Sequence, residues 1–372
     1  MKRYIVIGAG ILGASTAYHL AKSGKAEVTI IDRQDPGQAT DAAAGIICPW
    51  LTKRRNKAWY ALAKGGAAYY PTLINQLEED GERETGYEKV GAIRLHTDDE
   101  KLIELEELAL KKREEAPEMG TIEKRTEAET KALFPPLSAE YQSLFVQGGA
   151  RVNGRALRQS LINGAKKHGA RFIQGSAQLM FTSDHAMGIL VGDKQYRADH
   201  IIVTAGAWAA ELLSPLGIEL QVSGQKAQIA HLQLEGEKTE MWPVVMPPNN
   251  QYILSFADGR IVVGATHEDD TNFDRRVTVG GLHEVFDKAL TVAPGLADAT
   301  FVEARVGFRP VTPNFLPIIG QVPGYKGLYL ANGLGASGLT VGPYLGMQLA
   351  KLTLGEEVDI DLDKYDINGA IE

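Results

Sequence analysis

The stretch "VIGAGILGAS" (residues 6–15) sets three glycines, Gly8, Gly10 and Gly13, in the spacing G-x-G-x-x-G directly after the apolar run "YIVI". Such a run before a glycine turn reads as a buried strand. The residues that follow carry Ile11, Ala14, Tyr18 and Ala21 at helical spacing, with Gly24 where a C-terminal cap belongs. "VTII" (28–31) is the next strand, and Asp32 ends it, 24 residues after Gly8. Strand, glycine turn, helix, strand and acid in this order predict a βαβ dinucleotide-binding unit. The first glycine makes the tight turn, the second lets backbone amides approach a pyrophosphate, and the third lets helix and strand pack closely. The helix N-terminus adds positive potential. Asp32 would accept hydrogen bonds from ribose hydroxyls, and an acid at that place argues against a 2′-phosphate. Nicotinamide and flavin enzymes share the motif, so the choice between them falls to the rest of the chain.

With 372 residues the chain is too long for one small core and suits two domains. Its 44% hydrophobic and 23% charged residues are those of a soluble globular protein. No run reaches the roughly 18 apolar residues of a membrane span. The net charge of −8 disfavours non-specific nucleic-acid binding, which needs a positive field. Lys2 and Arg3 followed by apolar residues superficially resemble a signal peptide. The glycines and "STAYHLAKSG" break that run early, so the segment reads as a strand, turn and helix of the mature protein. The single cysteine, Cys48 in "GIICPW", forms no intrachain disulfide, fits a reducing cytoplasmic setting, and reads as a small buried residue rather than a nucleophile. The basic loop "KRRNK" (53–57) reads as solvated.

Farther along, the texture alternates. "VGAIRLHT" reads as a strand. "DDEKLIELEELALKKREE" reads as an amphipathic helix with Leu102, Leu105 and Leu108 inward and Glu107 paired with Lys111 outside. Thr126 and Glu129 form a capping box, and "FPP" stops that helix. "NGRALRQSLINGAKKHG" is a helix ending near Gly169, and "ADHIIVTAGAW" (198–208) is a buried strand entering a glycine turn. "QKAQIAHLQL", "QYILSF" and "RIVVGAT" lie close together and suggest an antiparallel sheet. "GLYLAN" and "GASGLTVGPYLGMQLAKLTLG" close the chain with a strand, a second glycine turn and a helix. The expected architecture is α/β with two interleaved domains. A Rossmann-like nucleotide domain comprises 1–85, 151–222 and 304–372, and an antiparallel-sheet cap comprises 86–150 and 223–303.

Six pieces, "VIGAGILG", "TDAAAGIICP", "ADHIIVTAGAW", "GRIVVGAT", "ARVGFRPVTPNFLPIIG" and "GLYLANGLGASGLT", occur in one order across nearly the whole chain. In this the chain resembles the flavin-dependent amino-acid oxidases and dehydrogenases of the D-amino-acid oxidase type, and within them bacterial glycine oxidase most. The resemblance implies FAD in the fold shared with glutathione reductase. Gly8, Gly10, Ile11, Leu12, Gly13, Asp32 and Arg33 fall in its βαβ unit. It places Thr40, Ala44, Gly45 and Ile46 along the flavin ring and the Ala177 backbone at the adenine. Thr204, Ala205, Gly206 and Trp208 lie toward the pyrophosphate and ribityl chain. Gly335, Ala336, Ser337, Gly338, Leu339 and Thr340 open the last helix toward the flavin pyrimidine carbonyl, where a helix N-terminus stabilises negative charge.

The resemblance also assigns Arg309 in "GFRPVTP" to the substrate carboxylate, beside the flavin, with Tyr252 as a second donor and His267 bordering the substrate. An arginine fork suits a carboxylate, but by residue type alone a structural ion pair is an equal reading, and Arg305 competes from the same strand face. A lone histidine such as His267 is more often structural than functional. The implied reaction is oxidation of the C–N bond of an amino acid or N-alkyl amino acid, of the glycine, sarcosine or D-amino-acid type. Hydride passes to flavin N5 and the imine hydrolyses, with no acid–base residue required. Three departures qualify this. Leu334 and Ala336 stand where relatives carry a histidine and an arginine. Val262 stands where sarcosine oxidases carry a lysine. "TPNFLPIIG" lacks the cysteine that tethers flavin in some relatives. They imply non-covalent FAD and leave open the amine, oligomeric state, and oxygen or another acceptor. A dehydrogenase feeding a quinone or carrier protein, an NAD-dependent dehydrogenase and a non-catalytic nucleotide-binding protein are the alternatives.

Overall fold

The computed structural model describes residues 1–52 and 54–372, so Lys53 of the basic loop lies outside the described residues. The chain opens with β1 (Lys2–Ile7), α1 (Ile11–Lys22) and β2 (Ala26–Asp32), the βαβ unit read from the glycine motif. A short turn of helix α2 (Ala39–Ala42), β3 (Ile46–Ile47) and the long helix α3 (Lys57–Glu79) follow. Next come β4 (Ala92–His96), α4 (Asp99–Arg113), β5 (Ile122–Arg125), α5 (Glu127–Leu133) and β6 (Gln142–Val146). The chain then forms β7 (Ala150–Arg151), α6 (Gly154–Lys167), β8 (Arg171–Gln174), β9 (Ala177–Phe181), β10 (Ala186–Val191), β11 (Lys194–Arg197) and β12 (His200–Val203). After α7 (Ala209–Leu213) run β13 (Ser223–Gln233), β14 (Val244–Met246), β15 (Tyr252–Ser255), β16 (Arg260–Gly264), α8 (Val279–Val292) and β17 (Thr300–Val311). The last elements are β18 (Ile318–Gln321), β19 (Leu328–Asn332) and α9 (Gly338–Leu354).

One sheet has the order β18-β19-β12-β1-β2-β8, parallel from β19 to β8 with β18 antiparallel at the edge. β1 sits inside it, with Ile5 opposite Ile201 on one side and Thr29 on the other. Being covered on both faces, it reads as a continuous apolar run. The second sheet has the order β17-β13-β16-β15-β14-β4-β6-β5 and is antiparallel except where β14 lies parallel to β4. Its two faces have different partners. Ala92, Val244, Leu254, Val262 and Ile229 point into the core shared with the nucleotide-binding layer, which includes α1, α3 and α9. Ile93, Val245, Ile253 and Val263 point the other way, onto α8. β9 to β11 form a small separate sheet, and β3 pairs with β7.

Several local readings find their physical form here. The capping box at α5 is made: Glu129 N donates to Thr126 Oγ1, and Thr126 N donates to Glu129 Oε2 at 2.9 Å. In α4 the buried line is Leu102, Leu105 and Ala109. Leu108, expected inward, is only half-buried, because the i, i+3, i+7 ridge passes through Ala109 instead. The expected boundary at 303/304 falls inside β17, which runs unbroken along β13 in the second sheet. Among the described residues no helix is long and apolar enough to cross a membrane.

Candidate active site

Gly8 has φ +98°, and a Cβ there would stand 2.5 Å from the Thr204 carbonyl oxygen. Glycine is therefore required where β1 passes β12. A Cβ on Gly13 would overlap the Gly8 carbonyl oxygen, so the third glycine sets how closely α1 approaches the turn. Thr204 Oγ1 donates to the Ile7 and Gly8 carbonyls at 3.0 and 2.9 Å, fastening the β12 turn to the β1 turn. Asp32 Oδ2 accepts from Ala9 N at 2.5 Å, and Oδ1 accepts from Gln34 N at 2.5 Å and Gln38 Nε2 at 2.9 Å. The acid thus shapes the glycine turn as well as facing its ligand space. Gly10, the N-cap of α1, has no side chain to offer, and Thr40 Oγ1 accepts from Ile11 N at 3.0 Å; the remaining first-turn amides keep the positive end of the helix toward the cavity.

Two cavities meet at this turn. The larger, of about 410 Å³, lies between the sheets; the smaller, of about 370 Å³, lies outside β2. Both are lined by Gly8, Asp32, Gln38, Ala205 and Trp208, so they adjoin at the βαβ turn. Two adjoining cavities with a glycine turn between them fit an extended dinucleotide such as FAD. Of the residues singled out in the sequence, Gly10, Ile11, Leu12, Thr40, Ala44, Gly45 and Ile46 line the larger cavity. Thr204 and Gly206 do so too, as does the whole run Gly335 to Thr340. Arg33 and Ala177 line the smaller one, at the far end. Gly13 lines neither and acts through packing. Arg33 also pairs with Asp35 at 2.8 Å and Glu211 at 3.0 Å, an exposed rim arrangement.

The last glycine turn is held from three sides. Trp59 Nε1 donates to Ser337 Oγ at 2.8 Å, Tyr70 OH donates to the Leu339 carbonyl at 2.5 Å, and Thr340 Oγ1 donates to the Ile46 carbonyl at 2.9 Å. Asn332 Nδ2 donates to the Gly206 carbonyl at 2.9 Å and ties this turn to the one after β12. The N-terminus of the 17-residue α9 therefore points at a fixed place on the cavity wall.

The second sheet roofs the larger cavity with Arg309, Tyr252 and His267. Arg309 Nη1 donates to Gln225 Oε1 at 3.2 Å and reaches the Thr266 carbonyl at 3.5 Å. Among the described residues no carboxylate lies within ion-pair distance of Arg309. Burial pulls its pKa below the usual arginine value, with Tyr252 opposing that shift. Burial pushes the Tyr252 hydroxyl up, and Arg309 pulls it back down. His267 is held below the ordinary histidine value by burial first and by the Arg309 charge second, so it is neutral at pH 7. Arg305 shares Arg309's face of β17 but is spoken for. Its guanidinium pairs with Glu303, reaches the Asp41 carbonyl at 3.4 Å, and does not line the cavity.

Several lining residues escape the sequence reading. Gln38, Trp59, Met246 and Asn250 line the larger cavity, and Cys48, read only as buried, lines it as well. Nothing local marks Met246 or Asn250; Met246 reaches the cavity through the register of β14, and Asn250 from the loop that joins β14 to β15. Burial pushes the Cys48 thiol up to about 12, so it is protonated and inert.

The family model "FAD dependent oxidoreductase" (DAO) matches residues 3–352. The uncharacterized oxidoreductase YurR of Bacillus subtilis (strain 168) is 62% identical over the full length of both chains. Glycine oxidase of Pseudomonas aeruginosa is 31% identical, covering 98% of each chain. The crystal structure of iminodiacetate oxidase (IdaA) from Chelativorans sp. BNC1 superposes with a TM-score of 0.95 at 48% identity, covering 98% of each chain. With a match of this extent lying on adjoining cavities that fit its cofactor, the chain belongs to the DAO family of FAD-dependent oxidoreductases.

Proposed function

We propose that this enzyme oxidises the C–N bond of an amino acid or N-alkyl amino acid whose α-carboxylate is held by Arg309. The observation that carries this reading is Arg309 itself, a half-buried guanidinium at the cavity roof with no carboxylate among the described residues within ion-pair distance. An unpaired buried cation is costly, and a substrate carboxylate supplies the missing partner. Guanidinium geometry adds a two-pronged fit that fixes the α-carbon below the roof. Tyr252, adjacent to Arg309, contributes a neutral donor. His267, kept neutral, adds no competing charge at the mouth.

Bound FAD supplies the two-electron acceptor for the hydride that leaves the α-carbon. The protein holds the amine so that its lone pair can form the C=N bond as the C–H bond breaks. Water then adds to the imine and releases an oxo acid and an amine. Orientation by Arg309 and Tyr252, with the apolar lining of Met246, Ile229 and Ala227 excluding bulk water, is the chain's own contribution. The relative named for iminodiacetate favours a secondary amine, and the oxidases among the relatives favour oxygen as the acceptor. The FAD is held without a covalent bond, since the segment "TPNFLPIIG" after Arg309 has no cysteine to tether it. Asp32 serves the adenosine ribose, Ala177 the adenine end, and the N-terminus of α9 the negative charge of the reduced ring.

The test is anaerobic. Purified holoenzyme is mixed with iminodiacetate, sarcosine, glycine and D-alanine in turn while flavin absorbance is followed. Bleaching by at least one, followed by recovery on admission of air, is expected. A yellow protein that none of these reduces would overturn the reading.

A further inference from the structure

The sheet that roofs the cavity carries a second arginine without a partner among the described residues, Arg94, which adjoins the lining residues Met246 and Cys48 without being one of them. Arg94 lies in β4 opposite Met246 of β14 and Leu144 of β6. Val245 faces Ile253 in the antiparallel pair, so Met246, one step on, faces Tyr252, which in turn faces Gly264. Arg94, Met246 and Tyr252 therefore form one cross-strand row. Met246 and Tyr252 both line the cavity. The burial pattern gives the same face independently. Ala92, two residues before Arg94, and Leu144 opposite it belong to the core beneath the sheet, whereas Ile93 and Leu95 belong to the core on the α8 side.

Arg94 is half-buried. Among the described residues it has neither a hydrogen-bond acceptor nor a carboxylate within ion-pair distance. Burial lowers its pKa, and the titratable group it senses is the neutral Cys48 thiol, itself a cavity-lining residue. Lys112 senses the same thiol, but its ammonium is already occupied, donating to the Trp50 and Thr52 carbonyls at 2.8 Å each. Of these two half-buried cations, Arg94 is the one without a partner among the described residues.

We propose that Arg94 is a specificity residue that binds a second carboxylate, so that the preferred substrate is a dicarboxylic amino acid held between Arg309 and Arg94. This rests on the carboxylate-anchoring role proposed for Arg309. Neighbouring strands are about 4.8 Å apart, so the Arg94 backbone lies about 10 Å from that of Tyr252, two strands away. Arg309 stands in β17, three strands beyond Tyr252, but its guanidinium lies against the Tyr252 hydroxyl, so an extended Arg94 side chain and a small dicarboxylate close the gap from that hydroxyl. The second carboxylate sits either on the nitrogen substituent, as in iminodiacetate, or on the side chain, as in aspartate; both present the same anion to Arg94.

The test compares Arg94→Leu with the parent holoenzyme in two ways. In turnover, kcat/KM is measured for iminodiacetate against sarcosine and for D-aspartate against D-alanine. The dicarboxylate-to-monocarboxylate ratio should fall about tenfold or more in at least one pair, and the pair that responds identifies where the second carboxylate sits. In binding, thiodiacetate and (methylthio)acetate, which carry no oxidisable amine, are titrated against the flavin spectrum. The parent should prefer thiodiacetate about tenfold or more, and Arg94→Leu should lose that preference. Arg94→Lys should recover part of it, since lysine keeps the charge and loses the fork. Should Arg94→Leu not fold, Arg94→Gln takes its place. A parent without preference for thiodiacetate, or a preference that survives the loss of Arg94, overturns the proposal. If no amine is turned over yet thiodiacetate binding depends on Arg94, the anion site stands and the proposed reaction falls.

Discussion

Gly66 in α3 lies against the carbonyl oxygen of Thr340 in the first turn of α9, so closely that a Cβ on Gly66 would overlap that oxygen. The contact lets α3 brace the glycine turn through Trp59 and Tyr70 as well. Gly66→Ala should force α3 away from α9, at a cost of about 1–3 kcal/mol for overpacking a tight site. The expected result is a lower thermal midpoint together with weaker FAD retention, read by differential scanning fluorimetry and by the flavin-to-protein absorbance ratio. An alanine variant with unchanged values in both would mean that α3 does not set the position of this turn.

Asp32 binds three amide donors of its own chain and faces both cavities. Replacing it with alanine removes a charged acceptor whose hydrogen bonds are worth about 1.5–3 kcal/mol each. Asp32→Ala should therefore raise the dissociation constant for FAD tenfold or more in titrations of the apoprotein. Tight binding that survives the change would place the adenosine elsewhere.

For Arg309, loss of one partner from a buried charge pair typically costs about 2–5 kcal/mol. That corresponds to roughly thirty- to several-thousand-fold in kcat/KM. Arg309→Leu should show such a loss with carboxylate-bearing amines while remaining yellow, and Arg309→Lys should recover only part of it. Rapid-mixing measurement of flavin reduction gives the comparison. If Arg305→Leu, not Arg309→Leu, abolishes reduction, the anchor is Arg305. If Arg309→Leu loses its flavin or unfolds, Arg309 is a structural residue.

Mild acid or detergent denaturation should release all of the FAD into the filtrate, because "TPNFLPIIG", the segment after Arg309, has no cysteine to tether it. Flavin fluorescence that stays with the denatured polypeptide on a gel would contradict this.

His231 is buried with both ring nitrogens unpartnered among the described residues. Burial, reinforced by the Arg305 charge, lowers its pKa to about 4. An unfolded histidine titrates near 6.5, so between about 6.5 and 4 the unfolded chain binds a proton that the folded chain refuses. Stability is then complete above that window and falls as the pH drops through it. Denaturant midpoints at pH 7 and pH 5 should show a smaller acid loss in His231→Leu than in the parent, by on the order of 1–2 kcal/mol. Equal losses would mean that His231 is not the group refusing the proton.

What the sequence made legible was local. The βαβ unit rests on glycines whose backbone demands are written within a few residues, and Asp32, Thr204 and the turn before α9 follow from short motifs. Arg309 was nameable, but only the structure separates it from Arg305, because the difference is whether an acid two residues away, Glu303, has claimed the guanidinium. Helix α3 went unread. Gly65, Gly66 and Pro71 argue against a helix by propensity, and what stabilises it is packing on α9, nearly three hundred residues away in sequence. Arg94 was invisible for a similar reason. Its significance lies in a cross-strand row through β4, β14 and β15, and the parallel pairing of β4 with β14 joins segments about 150 residues apart.

The strands of the two large sheets alternate along the chain. The first sheet takes residues 2–32, the second 92–146, the first again 171–203, the second 223–311, and the first finally 318–332. No single cut of the polypeptide separates one sheet from the other; the second is complete only when β17 has been made, and the first only when β19 has been. The floor and the roof of the catalytic chamber are thus bound to one another by the order of translation, and cannot be inherited, exchanged or removed as separate modules.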